Sequence, residues 1–215
     1  MIAGFSGFKK GCGMSKKVFV LLILMCIAIA LMACGADDTR SQIALAEMTD
    51  EQRDLLNLVT FHNQQIMIFE FSTIEPFSEI ELWVDIYEYG ERRERGAGFS
   101  MLGVDRLLDG QIAASVIENR EAGSFDWHLR IREGSSSAGQ FSQIFIDSDG
   151  AIGRAFGSIQ EPIEIEDGRE IILYSMIFDS GGGIGFFGDL QIYVDAPELL
   201  EQYPIVYLLK IRFTK

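Results

Sequence analysis

The sequence predicts an all-β fold: an antiparallel β-sandwich, jelly-roll-like, of roughly nine strands, with a short N-terminal helix and one short helix before the last strand. Three observations predict it. From Gln64 onward, apolar and polar residues alternate with a period of two, the pattern of strands that bury one face. Turn-forming clusters separate these runs: "ERRERG", "NREAG", "EGSSSAG", "DSDG", "EDG" and "DSGGG". Hydrophobic residues make up 48% of the 215-residue chain, too large a share for disorder and enough for one core.

Taken in order, the first element is a helix over Asp50–Phe61. Thr49 can cap it, Gln52 stands three residues on, and Asp50 and Glu51 suit the positive helix end. Leu55, Leu56, Leu58 and Val59 form its apolar stripe. Strands are expected at "QQIMIFEF", "EIELWVDIYEYG", "QIAASVIE", "FDWHLRIR", "FSQIFID", "AIGRAFG", "EIILYSMIF", "DLQIYV" and "YPIVYLLKIRF". The clearest is "FDWHLRIR". Phe125, Trp127, Leu129 and Ile131 share one face; Asp126, His128, Arg130 and Arg132 share the other. "EIILYSMIF" is apolar on both faces, as a central strand of a sandwich can be. "DLQIYV" would bury Leu190, Ile192 and Val194. "DAPELLEQYP" reads as a short helix capped by Asp195 with Glu198 three on.

The N-terminus carries a different signal. "MSKK" (Met14–Lys17) is basic, and Val18–Ala30 is an unbroken apolar run of 13 residues. A charged start, an apolar core of this length and a small residue before the cut describe a secretory signal peptide. The whole run to Ala33 is 16 residues, short of the about 20 needed to span a membrane. Leu31, Met32, Ala33 and Cys34 then resemble the lipobox of bacterial lipoproteins. That resemblance implies a diacylglyceryl group on Cys34, cleavage just before it, and attachment to the extracytoplasmic face of a bacterial membrane. It covers the N-terminal segment alone; the remaining residues resemble no family. Residues 1–13 read as an upstream extension, with translation expected to begin at Met14. The expected organisation is therefore a signal peptide over 14–33, a tether over 34–48 and a single domain over 49–215.

Residues 34–215 hold 14 bases and all 32 acids, a net charge of −18. So acidic a chain repels nucleic acid and anionic lipid headgroups, so no nucleic-acid partner is expected. Cys12 and Cys26 precede the cut and Cys34 is the acylation site, so the domain has neither a disulfide nor a thiol ligand.

Several motifs point to chemistry and fail on context. "GIGFFG" (Gly183–Gly188) fits G-x-G-x-x-G, but a dinucleotide site needs it to open a helix, and a strand pattern follows. "DSDG" (Asp147–Gly150) begins like an EF-hand, but Ala151 and Ser158 stand where ligands are required. His62 and His128 have no neighbour at zinc-ligand spacing. No serine sits in a nucleophile-elbow frame. Neither metal nor cofactor is expected.

One strand face offers a ligand site: Trp83, Tyr87 and Tyr89 with Asp85 between them. Aromatic rings beside a carboxylate on an open sheet can stack on sugar rings and bond their hydroxyls. The expected function is that of a lipid-anchored, non-catalytic binding domain at the cell envelope, its partner an envelope protein or glycan. The alternatives are a carbohydrate-binding module-like surface protein and an extracellular hydrolase.

Overall fold

The computed structural model describes residues 40–102, 109–145, 153–181 and 188–215. Two antiparallel sheets face each other. The first has the order β7-β6-β5-β2-β1-β9, the second β4-β3-β11-β10-β8. The strands of the first are β1 (Gln42–Leu45), β2 (Gln64–Ser72), β5 (Asp109–Asn119), β6 (Ser124–Glu133), β7 (Ser136–Phe145) and β9 (Ile163–Glu164). Those of the second are β3 (Glu79–Glu88), β4 (Glu91–Leu102), β8 (Gly153–Ser158), β10 (Glu170–Asp179) and β11 (Ile205–Thr214). The all-β sandwich expected from the alternation is what the chain forms.

The core lies between the sheets. Phe125, Trp127, Leu129 and Ile131 of β6 point into it as their alternation requires, and His128, Arg130 and Arg132 point out. Trp127 packs edge-on against Tyr174 at 6.3 Å and at a tilt against Tyr207 at 6.2 Å. From β11, Tyr207, Leu209, Ile211 and Phe213 enter the same core. Val206 and Leu208 point the other way and are also buried. β10 is buried on both faces, as its unbroken apolar run foretold.

The second burial has its own cover. Residues 188–203 lie across the outer face of the second sheet. Leu190, Tyr193, Leu200 and Tyr203 pack there on Ile172, Ile177, Val206 and Leu208. The Gln191 amide fixes this cover: it donates to the Ile172 carbonyl at 2.8 Å and accepts from the Ile172 amide at 3.1 Å. β8 pairs with β10 only from Tyr174 onward, so Gln191 satisfies backbone groups that no strand reaches.

Several expectations need correction. "DLQIYV" is not a strand: it forms a turn and a short helix, α2 (Ile192–Asp195). Leu190 and Tyr193, three apart, are its buried residues, and a run this short fits either period. A 3₁₀ helix follows at Pro197–Leu200, but Ala196 stands at its start without a side-chain cap, so Asp195 does not cap it. "ERRERG" is not a turn but the first half of β4. The turn is Tyr89–Gly90, with φ of 47° and 79°, the two-residue geometry that suits the strand twist. The charges of β4 lie on an edge strand, where charge discourages pairing with another chain. "EGSSSAG" likewise gives only Gly134–Ser135 to the turn, Glu133 to the end of β6 and the rest to β7. Residues 42–45, expected within the tether, form β1 between β2 and β9, with Ile43 fully buried. Residues 42–45 thus belong to the compact unit Arg40–Lys215.

The first helix forms over Asp50–Val59, here α1. Its capping box is complete: Gln52 N donates to Thr49 Oγ1, and Thr49 N donates to Gln52 Oε1. None of its residues is buried. Among the described residues, no helix is long and apolar enough to cross a membrane.

Candidate functional site: one sealed sheet face and one open face

The four residues singled out from the sequence stand on β3 and the turn that follows it, but they do not form an open row. Trp83 and Asp85 are fully buried, Tyr87 nearly so, and only Tyr89 is exposed. The reason lies in β4 and β11 on either side. Trp83 lies opposite Gly98 of β4 and Lys210 of β11. A Cβ at position 98 would stand 2.6 Å from Trp83 Cβ, so glycine makes room for the indole. Arg95 and Arg212 cover that ring, 4.7 and 5.6 Å from its centroid, and both are paired to Glu81. A stacked guanidinium is worth about 0.5–2 kcal/mol according to its desolvation. Trp83 therefore serves as the floor of an ion-pair cluster rather than a platform for a ligand.

Asp85 and Tyr87 belong to a second cluster beside it. The Lys210 ammonium, 4% exposed, stands 3.1 Å from Asp85 Oδ2 and 3.0 Å from Glu170 Oε2. It also donates to the Tyr87 hydroxyl at 3.3 Å. Arg92 reaches the other oxygen of Asp85 at 2.7 Å. Burial works against the Lys210 charge, but Tyr87, Asp85 and Glu170 outweigh it and hold the ammonium above its usual range. The groups tie β3, β4, β10 and β11 together.

The outer face of the first sheet is different, because no segment of the described residues buries it. The strand register arranges its side chains in rows. Ile66, Ser115, His128 and Phe141 lie side by side, as do Ile68, Ala113, Arg130 and Gly139. β5 contributes only small side chains in these two rows. A groove of about 650 Å³ results, with a floor of Ala113 and Ser115. Ile66 of β2 walls one side, with Ile68 next along the same strand face beside Ala113; His128 and Arg130 of β6 wall the other. His128 packs on Phe141 with 4.8 Å between ring centroids. The next row carries a polar chain: Arg132 donates to Gln111 Oε1 at 2.6 Å, and Gln111 donates to Glu70 Oε1 at 2.9 Å. Beyond it a second hollow of about 510 Å³ continues along the sheet face past Gln42 and Ala44.

This groove was not singled out from the sequence, although its signals were present. The outward residues of "FDWHLRIR" are His128, Arg130 and Arg132. Those of "QIAASVIE" include Ala113 and Ser115. That these two strands are neighbours, and that no described residue covers them, only the fold tells. Among the described residues, no hydrogen bond or ion pair joins His128 to a serine or an acid, and no cluster of three His, Cys, Asp or Glu could hold a metal. Cys34, Asp147–Gly150 and residues 183–187 of the glycine motif lie outside the described residues.

The fold and the site define an antiparallel two-sheet β domain, sealed by its own C-terminal segment on one outer face and grooved on the other. The chain belongs to the YgaN domain family, whose profile matches residues 42–213. The match starts at β1 and ends within β11, so it supplies the family that the residues after Cys34 did not suggest. No curated protein and no solved structure matches the chain.

Proposed function

We propose that this chain is a lipid-anchored, extracytoplasmic binding domain, non-catalytic, whose partner docks in the groove over β5. The asymmetry of the sandwich carries the proposal. Covering a sheet face was within the chain's means, since residues 188–203 cover one. Among the described residues the other stays open, with a small-residue floor between an aliphatic wall and a cationic one. Pockets that bind combine apolar surface with a few converging polar groups, and this groove has both. Of the aromatic row on which a carbohydrate reading rested, Trp83 and Tyr87 are buried and Tyr89 alone is exposed. A partner protein at the cell envelope is therefore the favoured ligand, held near the membrane by acylated Cys34.

The test uses Ala113→Arg, which fills the groove floor without touching the core. Material retained from an envelope extract by the wild-type protein should be lost from this variant. Equal retention by both would overturn the groove as the site.

A further inference from the structure

The groove has a counterpart on the same chain. Helix α1 exposes Leu55, Leu58 and Val59 at 63%, 82% and 58%. At spacings of three and four they form one stripe along the helix. Glu51 precedes Leu55 by one turn, and Asp54 precedes Leu58 by one turn, and both acids are exposed. One face of α1 thus carries acids in its N-terminal half and leucines in its C-terminal half. A capped helix of this kind does not keep such a stripe in water through any need of its own.

The groove presents the complement in the same sequence of chemistry. At one end stand Ile66 and Phe141; toward the other stand Arg130 and Arg132, both exposed. A helix of 10 residues is about 15 Å long. The floor from Gln111 to Ile117 runs about 20 Å at strand rise. Within one chain, α1 does not lie in this groove with this stripe, since Leu55, Leu58 and Val59 are exposed. Its exit is held at the end of β5, where Asn63 Nδ2 donates to the Glu118 carbonyl at 2.8 Å and Glu118 N donates to the Asn63 carbonyl at 2.9 Å.

We infer that the groove over β5 receives helix α1 of a second copy of this chain. Leu55, Leu58 and Val59 lie against Ile66 and Ile68, and Glu51 and Asp54 face Arg130 and Arg132. Each copy has one helix and one groove, so two such contacts related by a two-fold axis close a dimer. This deepens the binding reading above and rests on it, because it names the occupant of the same groove.

The experiment uses two differently tagged full-length chains expressed together, one with Leu58→Cys and the other with Ser115→Cys. Mild oxidation should link the two tags in one disulfide-bonded species. The double reversal Arg130→Glu/Arg132→Glu on the groove copy should cut its yield about tenfold, since each close charge pair turns from attraction to repulsion. Glu51→Lys/Asp54→Lys on the helix copy should restore it. Absence of the linked species would overturn the inference. So would an equal yield from Glu161→Cys, exposed and away from the groove. If copies do not link but Ala113→Arg still abolishes retention of envelope material, the second copy falls and the binding face stands. If neither effect is seen, both fall.

Discussion

Replacing Lys210 by Met tests the sealed face most directly. Methionine nearly conserves the volume, so no cavity term enters, and the change isolates the charge. Asp85, fully buried, then keeps Arg92 at 2.7 Å as its remaining cation, and that arginine is half-exposed. Glu170, about one-third exposed, can regain water. Removing one partner of a buried pair typically costs about 3–5 kcal/mol. With Arg92 still in place the lower end is expected, about 3 kcal/mol, a large part of the about 5–15 kcal/mol that holds a domain. Urea unfolding followed by tryptophan fluorescence reads this loss. With a slope of about 2 kcal/mol per molar, the midpoint should fall by about 1.5 M. Asp85→Asn added to Lys210→Met removes the stranded charge and should recover about half of the loss. A Lys210→Met midpoint within about 0.3 M of wild type would show that the cluster is hydrated rather than buried. A double variant no more stable than the single would show that the two groups are not coupled.

Three further outcomes are expected. Trp127→Ala, fully buried between Tyr174 and Tyr207, should cost about 3–5 kcal/mol and leave the domain close to unfolding; a melting temperature within a few degrees of wild type would contradict its placement. Burial holds the Tyr174 and Tyr207 phenols well above their usual range and, with Tyr203 beside it, pushes Tyr193 up to about 12. Folded values above the unfolded ones contribute stability that is complete below about pH 10 and is lost as pH rises further, and Lys210 adds to the same loss. Ultraviolet titration should therefore show these three phenols ionising late and together with unfolding; ordinary titration of all six tyrosines near pH 10 in a folded chain would refute it. Cys34→Ser should shift the protein from the membrane fraction to the soluble one, or leave an uncleaved precursor; identical fractionation, with both chains starting well after residue 34, would remove the anchor.

Where a strand buries one face, its alternation told which way each side chain points, and β6 is the case in point. The sequence was less informative where burial came from an element far along the chain. Trp83, Asp85 and Tyr87 read as an outward face because they alternate with Ile80, Leu82, Val84 and Ile86. What seals them is Arg95, eight or more residues from each, together with Lys210, Arg212 and the segment from Leu190 to Tyr203. No local period encodes such a cover. β1 was missed for a related reason. Four residues are too few to show a period, and Gln42–Leu45 forms a strand because β2 and β9 lie ready on both sides. The charges of β4 misled in the opposite sense, since a run of arginine and glutamate fits a turn and an edge strand equally well.

The same contrast bears on where function resides. Charged and aromatic residues drew attention to β3, yet there the charges are paired inside the chain: Glu81 bridges two arginines, and Lys210 bridges two acids. Such groups are already satisfied and have little left to offer a ligand. Over β5 the order is reversed. Ala113 and Ser115 carry almost no chemistry of their own, but their smallness leaves a groove between Ile66, His128 and Arg130. Leu55 and Leu58 of α1 stand exposed on the same molecule. Apolar surface that a chain could cover and does not is costly at about 25 cal/mol per Å². Two such surfaces, with opposite charge beside each, give a stronger reason for association than any number of arginines already paired to glutamates.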